Sequence, residues 1–112
     1  ISMYEYAAKV VKVVDGDTVD LEVDLGFSIT LKERFRLHRI NAPEKRGPSK
    51  PQGDESTLHL MKLTDGVEIT IKTIKDQKEK YGRFLVEIYR KSDGACLNDL
   101  MVHDGHASYH TY

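Results

Sequence analysis

The chain contains a single cysteine, Cys96. That excludes an internal disulfide framework and points to a reducing cytoplasm, a removed secretory leader being the alternative. No apolar run approaches the roughly 18 residues needed to span a bilayer, and no signal-like start is visible, so no membrane partner is expected. An excess of either charge is also missing: 17 Lys and Arg against 18 Asp and Glu give −1. What is present is the balance of a folded domain, with 39% hydrophobic and 31% charged residues over 112 positions. Such a length suits one domain that buries its core without covalent staples. Ile1-Ser2 ahead of Met3 reads as a tag remnant, which puts the domain at residues 3–112. A monomer is the expected state.

The near-zero net charge argues against a nucleic-acid partner only on average. From Val13 to Gly26 there are five acids and no base; from Lys32 to Lys50 there are seven bases against Glu33 and Glu44. Five more bases fall between Lys72 and Arg83, against Asp76 and Glu79. An acidic block between basic ones suits a cation site beside an anion-binding surface.

Alternation predicts strands in the first half. Tyr6 to Val14 is rich in β-branched residues and runs into Asp15-Gly16, a hairpin signal. Thr18 to Leu25 sets Val19, Leu21, Val23 and Leu25 on one face and Asp20, Glu22 and Asp24 on the other. A third strand is expected from about Ser28 to Ile40, ended by Asn41-Ala42-Pro43. In it, Arg39 stands where Phe35 and Leu37 predict an inward residue, to be accommodated by a bulge or a shallow barrel end. Residues 45–53 read as a basic loop. A helix from Asp54, its N-cap, to Thr64 is expected to turn Leu58 and Met61 inward, with Leu60 or Leu63. Strands at Val67–Ile74 and Arg83–Arg90, a polar loop between them, and a helix starting at Asn98 complete the chain. This pattern predicts an all-β or α+β domain, a five-stranded antiparallel OB-fold β-barrel with two short α-helices. Cys96 reads as a small buried residue ahead of the last helix. His103, His106 and His110 are spaced loosely like metal ligands, but Gly105 breaks the helix between them and no zinc site is expected.

Three clusters carry chemistry: Asp15-Gly16-Asp17-Thr18; Arg36 through Asn41-Ala42-Pro43-Glu44; and Tyr81-Gly82-Arg83. With them the chain resembles the staphylococcal (thermonuclease) nuclease family, through VVKVVDGDTVDLEVD, FRLHRINAPE, DQKEKYGRFLVEIY and LNDLMVHDGHA in that order. The resemblance covers most of the chain from Lys9 to Ala107. It implies an OB-fold barrel and a calcium-dependent phosphodiesterase acting on DNA and RNA, single strands favoured, leaving 5′-hydroxyl and 3′-phosphate ends. Matched by position, Asp17 and Asn41 would be side-chain ligands of Ca2+, and Ala42 would contribute its backbone carbonyl. Glu44 would hold or deprotonate the attacking water. Arg36 and Arg83 would grip the phosphate, since guanidinium forks bind equatorial oxygens more tightly as negative charge builds. Lys80 and Tyr81 would touch the terminal phosphate or the base, and Tyr109 or Tyr112 would stack on a base.

Two departures from the family pattern stand out. Asn41 replaces a frequent aspartate, so the cation site loses a charge and is expected to hold calcium weakly. The chain ends at Tyr112, where the best-known members continue through a further helix. The alternative to an enzyme is a catalytically inactive module on the same barrel that binds nucleic acid or protein. Retention of Asp17, Arg36, Glu44 and Arg83 together favours the enzyme.

Overall fold

Alternating β-branched and polar residues build the frame. The computed structural model describes residues 3–44, 47–78 and 83–109; the expected roles of Lys80, Tyr81, His110 and Tyr112 lie outside them. Three long strands, β1 (Met3–Asp15), β2 (Thr18–Gly26) and β3 (Ile29–Leu37), form a meander. A two-residue strand β4 (Ile40–Asn41) and helix α1 (Lys50–Thr64) follow, then β5 (Ile69–Lys78), β6 (Phe84–Arg90), helix α2 (Leu97–His103) and a short β7 (Ser108–Tyr109).

Five of the strands close into a barrel in the order β1-β2-β3-β6-β5. β1 serves two neighbours: Met3–Ala8 pairs with β5 and Ala8–Asp15 with β2, with register shifts that bend the strand. The expectation of a purely antiparallel barrel is corrected here, because β3 and β6 run parallel over Phe35↔Phe84, Arg36↔Leu85 and Leu37↔Val86. The reason is topological. A closed ring with an odd number of strands cannot alternate direction at every seam, so at least one pair must be parallel. Otherwise this is the OB-fold barrel that the strand pattern implies.

The core lies inside the barrel and under its helices: Val19, Leu21, Phe35, Leu37, Ile71, Val86 and Ile88 from strands, Leu60 from α1, Leu97 and Met101 from α2. Each fully buried aliphatic side chain contributes about 1.5–3 kcal/mol relative to exposure. Leu25, expected inward, is exposed, because the end of the β2–β3 hairpin extends past the closed part of the barrel. The third strand stops at Leu37 rather than near Ile40. Arg39 adopts φ +71°, which turns the chain before β4 resumes.

Helix α1 differs most from expectation. A 3-10 turn at Gly47–Ser49 leads straight into it, and it begins at Lys50 rather than Asp54. Pro51 is tolerated there because the first helical N–H groups have no intrahelical acceptor. Its buried face is Gly53, Ser56, Thr57, Leu60 and Thr64, whereas Leu58 and Met61 are 56% and 42% exposed. The cause is a close approach that periodicity does not encode. Gly16, in the β1–β2 turn, lies so near α1 that a Cβ there would sit 2.7 Å from Ser56 Cβ and 2.8 Å from Ala42 Cβ. Only small side chains fit between helix and turn, so the larger ones rotate outward. The buried Thr57 and Thr64 hydroxyls donate back to Gly53 O at 2.8 Å and Leu60 O at 2.9 Å.

Helix α2 is fixed by Asn98, which is fully buried. Its Nδ2 donates to His38 O at 2.9 Å and Val86 O at 3.1 Å, and its Oδ1 accepts from Ile88 N at 3.0 Å. Beyond α2, β7 returns to pair Tyr109 with Ile40 and Ser108 with Asn41.

Gly16→Ala should therefore destabilise the fold by about 2 kcal/mol through overpacking, read from chemical denaturation. An unchanged midpoint would contradict the close approach of turn and helix.

Candidate functional site

The Asp15-Gly16-Asp17-Thr18 turn and the Arg36–Glu44 segment meet because Thr18 and Arg36 are register partners on β2 and β3. Leu37 N donates to Asp17 O at 2.8 Å. Around that contact Arg36 is buried, 7% exposed. Its Nη1 donates to Leu37 O at 2.8 Å, Ile40 O at 2.9 Å and Asp17 O at 3.4 Å. Its Nη2 lies 3.2 Å from Asn41 Oδ1 and 3.3 Å from Asp17 Oδ2. Two oxygens from different segments thus converge on one guanidinium nitrogen.

Asp17 is held from three directions. Besides Arg36, its Oδ2 accepts from Ala42 N at 2.8 Å, and its Oδ1 accepts from the Thr18 hydroxyl at 3.1 Å. Arg83 Nη1 donates to the same hydroxyl at 3.3 Å. Asp17, Arg36, Asn41, Ala42 and Arg83, far apart in sequence, are therefore brought together. Ala42 touches Asp17 through its N–H, whereas the role expected of it rests on its carbonyl. Glu44 lies just beyond Pro43 on the same segment and is exposed. Tyr109 is exposed on β7, and its hydroxyl donates to Asp99 Oδ1 at 3.1 Å.

The donor chemistry fits a hard cation. Asp17 and Asn41 offer oxygen only, and their oxygens already converge on a positive group. Among the described residues no three His, Cys, Asp or Glu side chains gather as a metal-binding group. His59 Nε2 and His103 Nδ1 instead meet the Asp104 carboxylate at 2.6 Å and 3.3 Å, and His106 stacks on His59 with ring centroids 4.3 Å apart.

A second polar cluster backs the site. Arg39 Nε bonds Glu87 Oε2 at 2.9 Å, and its Nη1 bonds Asp99 Oδ1 at 3.1 Å. Tyr89 donates to Glu87 Oε1 at 2.7 Å. Burial pulls the Glu87 carboxyl upward, but hydrogen bonds from Tyr89 and Arg39 outweigh it and leave it below its ordinary value. Asp99 behaves alike, burial opposing the stronger combined effect of Arg39 and Tyr109. Burial and the bond to Glu87 push the Tyr89 phenol up. The cluster clamps the turn that delivers Asn41, with Arg39 on β6 and α2 and Tyr109 tying β7 to α2.

Residues 34–112 match the family model described as Staphylococcal nuclease homologue, which is more than half of the chain. The chain belongs to that family. A curated relative, Endonuclease YhcR of Bacillus subtilis (strain 168), is 35% identical over 113 residues. That match covers 92% of this chain but 9% of the relative, so the chain spans about a tenth of that protein's length. Sequence reasoning noted Arg39 as misplaced on its strand but missed its partners Glu87 and Asp99, which lie 48 and 60 residues away. It named Thr18 within the turn motif without giving its hydroxyl a role.

Because Glu87 and Asp99 have depressed native pKa values, their stabilisation is fully present above the ordinary carboxylate range near pH 4 and is lost as pH falls through the native values. Arg39→Met removes Arg39's share of that contribution and leaves the hydrogen bonds from Tyr89 and Tyr109. The variant should be less stable than the parent by about 2 kcal/mol at pH 7, less than a fully buried pair would lose. The difference should shrink as pH falls from 6 to 3. Denaturation curves across that range check it, and a constant difference would contradict the assignment.

Proposed function

We propose that this nuclease-family domain hydrolyses phosphodiester bonds of DNA and RNA in a calcium-dependent reaction, leaving 5′-hydroxyl and 3′-phosphate ends. One observation carries the reading: the Asp17 carboxylate, the Asn41 amide oxygen and the Arg36 guanidinium meet at one point, with Arg83 joined through Thr18. A phosphodiester needs its charge neutralised and its attacking water oriented, and the converging groups are of the types that do this.

Asp17, Asn41 and the Ala42 carbonyl would hold calcium, which when bound supplies positive charge and Lewis acidity at a phosphate oxygen. The protein's own groups do the rest. Arg36 is anchored through Nη1 to backbone carbonyls, so the plane of its guanidinium is set before substrate arrives; a preorganised donor has no reorganisation cost as charge develops. Arg83 supplies the second guanidinium, acting chiefly in the transition state. Glu44 holds the attacking water and takes its proton. Lys80 and Tyr81, next to Arg83 in sequence, contact phosphate or base, and the exposed ring of Tyr109 stacks on a base. Single strands suit such an arrangement, because unpaired bases are free to stack.

Loss of one preorganised donor typically costs about 10²–10³ in rate. Arg83→Ala should lower kcat by that factor and weaken single-strand binding, measured with chelator, far less. Turnover within a few-fold of the parent would overturn the role assigned to Arg83.

A further inference from the structure

The Thr18 side chain is almost fully buried, 2% exposed, and it touches both of the charged groups that flank it. A hydroxyl has one proton to give and two lone pairs to accept with. Here the proton goes to Asp17 Oδ1 at 3.1 Å, and Arg83 Nη1 donates to the oxygen at 3.3 Å. The directions are consistent along the chain, from guanidinium to hydroxyl to carboxylate, so each bond polarises the next. Thr18 is also the register partner of Arg36 across β2 and β3. One residue therefore bonds two charged groups of the converged site, Asp17 and Arg83, through its hydroxyl, and its backbone pairs with that of Arg36.

We propose that Thr18 is a positioning residue of this site: its hydroxyl sets Arg83 at a fixed distance from the Asp17 carboxylate. This rests on the nuclease reading above. Arg83 lies just before β6 and Asp17 just before β2, and these strands are not neighbours in the barrel; β3 lies between them. Asp17 is also held by Ala42 N and Arg36, so the hydroxyl adds to the carboxylate's anchoring while linking it to Arg83. A β-branched side chain on a strand has a restricted χ1, which keeps the hydroxyl aimed. Asp17 and Arg83 must act on one phosphate at the same moment, and a buried hydroxyl between them sets that spacing without adding charge.

Thr18→Val keeps the shape and removes the bond, and Thr18→Ser keeps the hydroxyl. With denatured DNA and calcium, Thr18→Val should lower kcat about tenfold, the scale of one lost hydrogen bond to a charged group, with KM little changed. Thr18→Ser should recover most of the rate. In an Arg83→Ala background, Thr18→Val should have almost no further effect on kcat, since the two act as one unit. Nitrogen-15 NMR of the Arg83 guanidinium supplies a readout without turnover: its rotation should be faster in Thr18→Val than in the parent and unchanged in Thr18→Ser. Should Thr18→Val not fold, Thr18→Ala takes its place in each comparison. A lowered melting temperature with unchanged kcat, or equal losses in parent and Arg83→Ala backgrounds, would overturn the proposal. Absence of cleavage by the parent at every cation concentration would overturn the nuclease reading itself, and the Thr18 assignment with it.

Discussion

The buried Arg36 guanidinium is the constraint on which the rest of the structure depends. It bonds carbonyls on both sides of the turn between β3 and β4 and the side-chain oxygens of Asp17 and Asn41. Taking a charge out of water is costly unless it is paired and hydrogen-bonded, and removing one partner of such a buried pair typically costs about 3–5 kcal/mol. The β1–β2 turn, the end of β3 and the segment carrying Asn41 and Ala42 are therefore stable only together. Gly16 permits the arrangement by letting α1 close against the turn, and the Arg39 cluster supports it from behind. Fold and candidate site share one set of interactions.

The charge balance at the site bears on how it would work. Arg36 pairs directly with the Asp17 carboxylate and Arg83 is linked to it through the Thr18 hydroxyl, while Asn41 adds an oxygen without adding charge. A hard cation is held largely by ligand charge, so under the proposed reading the cation would be retained with the help of an anionic substrate. The match to Endonuclease YhcR spans 9% of that protein, so what such a domain contributes within a longer chain is a separate question from what its own residues do.

Much of the frame was legible in the sequence because strands announce themselves by period-two alternation: Val19, Leu21 and Val23 point inward as read, and the hairpin at Asp15-Gly16 falls where its turn chemistry puts it. The grouping of Asp17, Arg36, Asn41 and Arg83 was legible only through the motif resemblance, since nothing local brings Arg83 to Thr18 across a separation of 65 positions. Three features were not legible. The outward rotation of Leu58 and Met61 follows from a backbone approach at Gly16 that hydrophobic periodicity does not encode. The parallel β3–β6 seam is a consequence of barrel closure, a property of the whole ring. The Arg39 cluster joins residues distant in the chain, and only its misfit with strand alternation was visible in advance.

The central claim is that this arrangement cleaves nucleic acid with the help of a bound cation. Its most direct test incubates denatured DNA with the protein in calcium, in magnesium or in chelator, resolves the fragments on a gel and determines their end groups. The account predicts fragments bearing 3′-phosphates in calcium and none in chelator. Binding without fragmentation at every calcium concentration would contradict it, and would leave the barrel as a nucleic-acid-binding module.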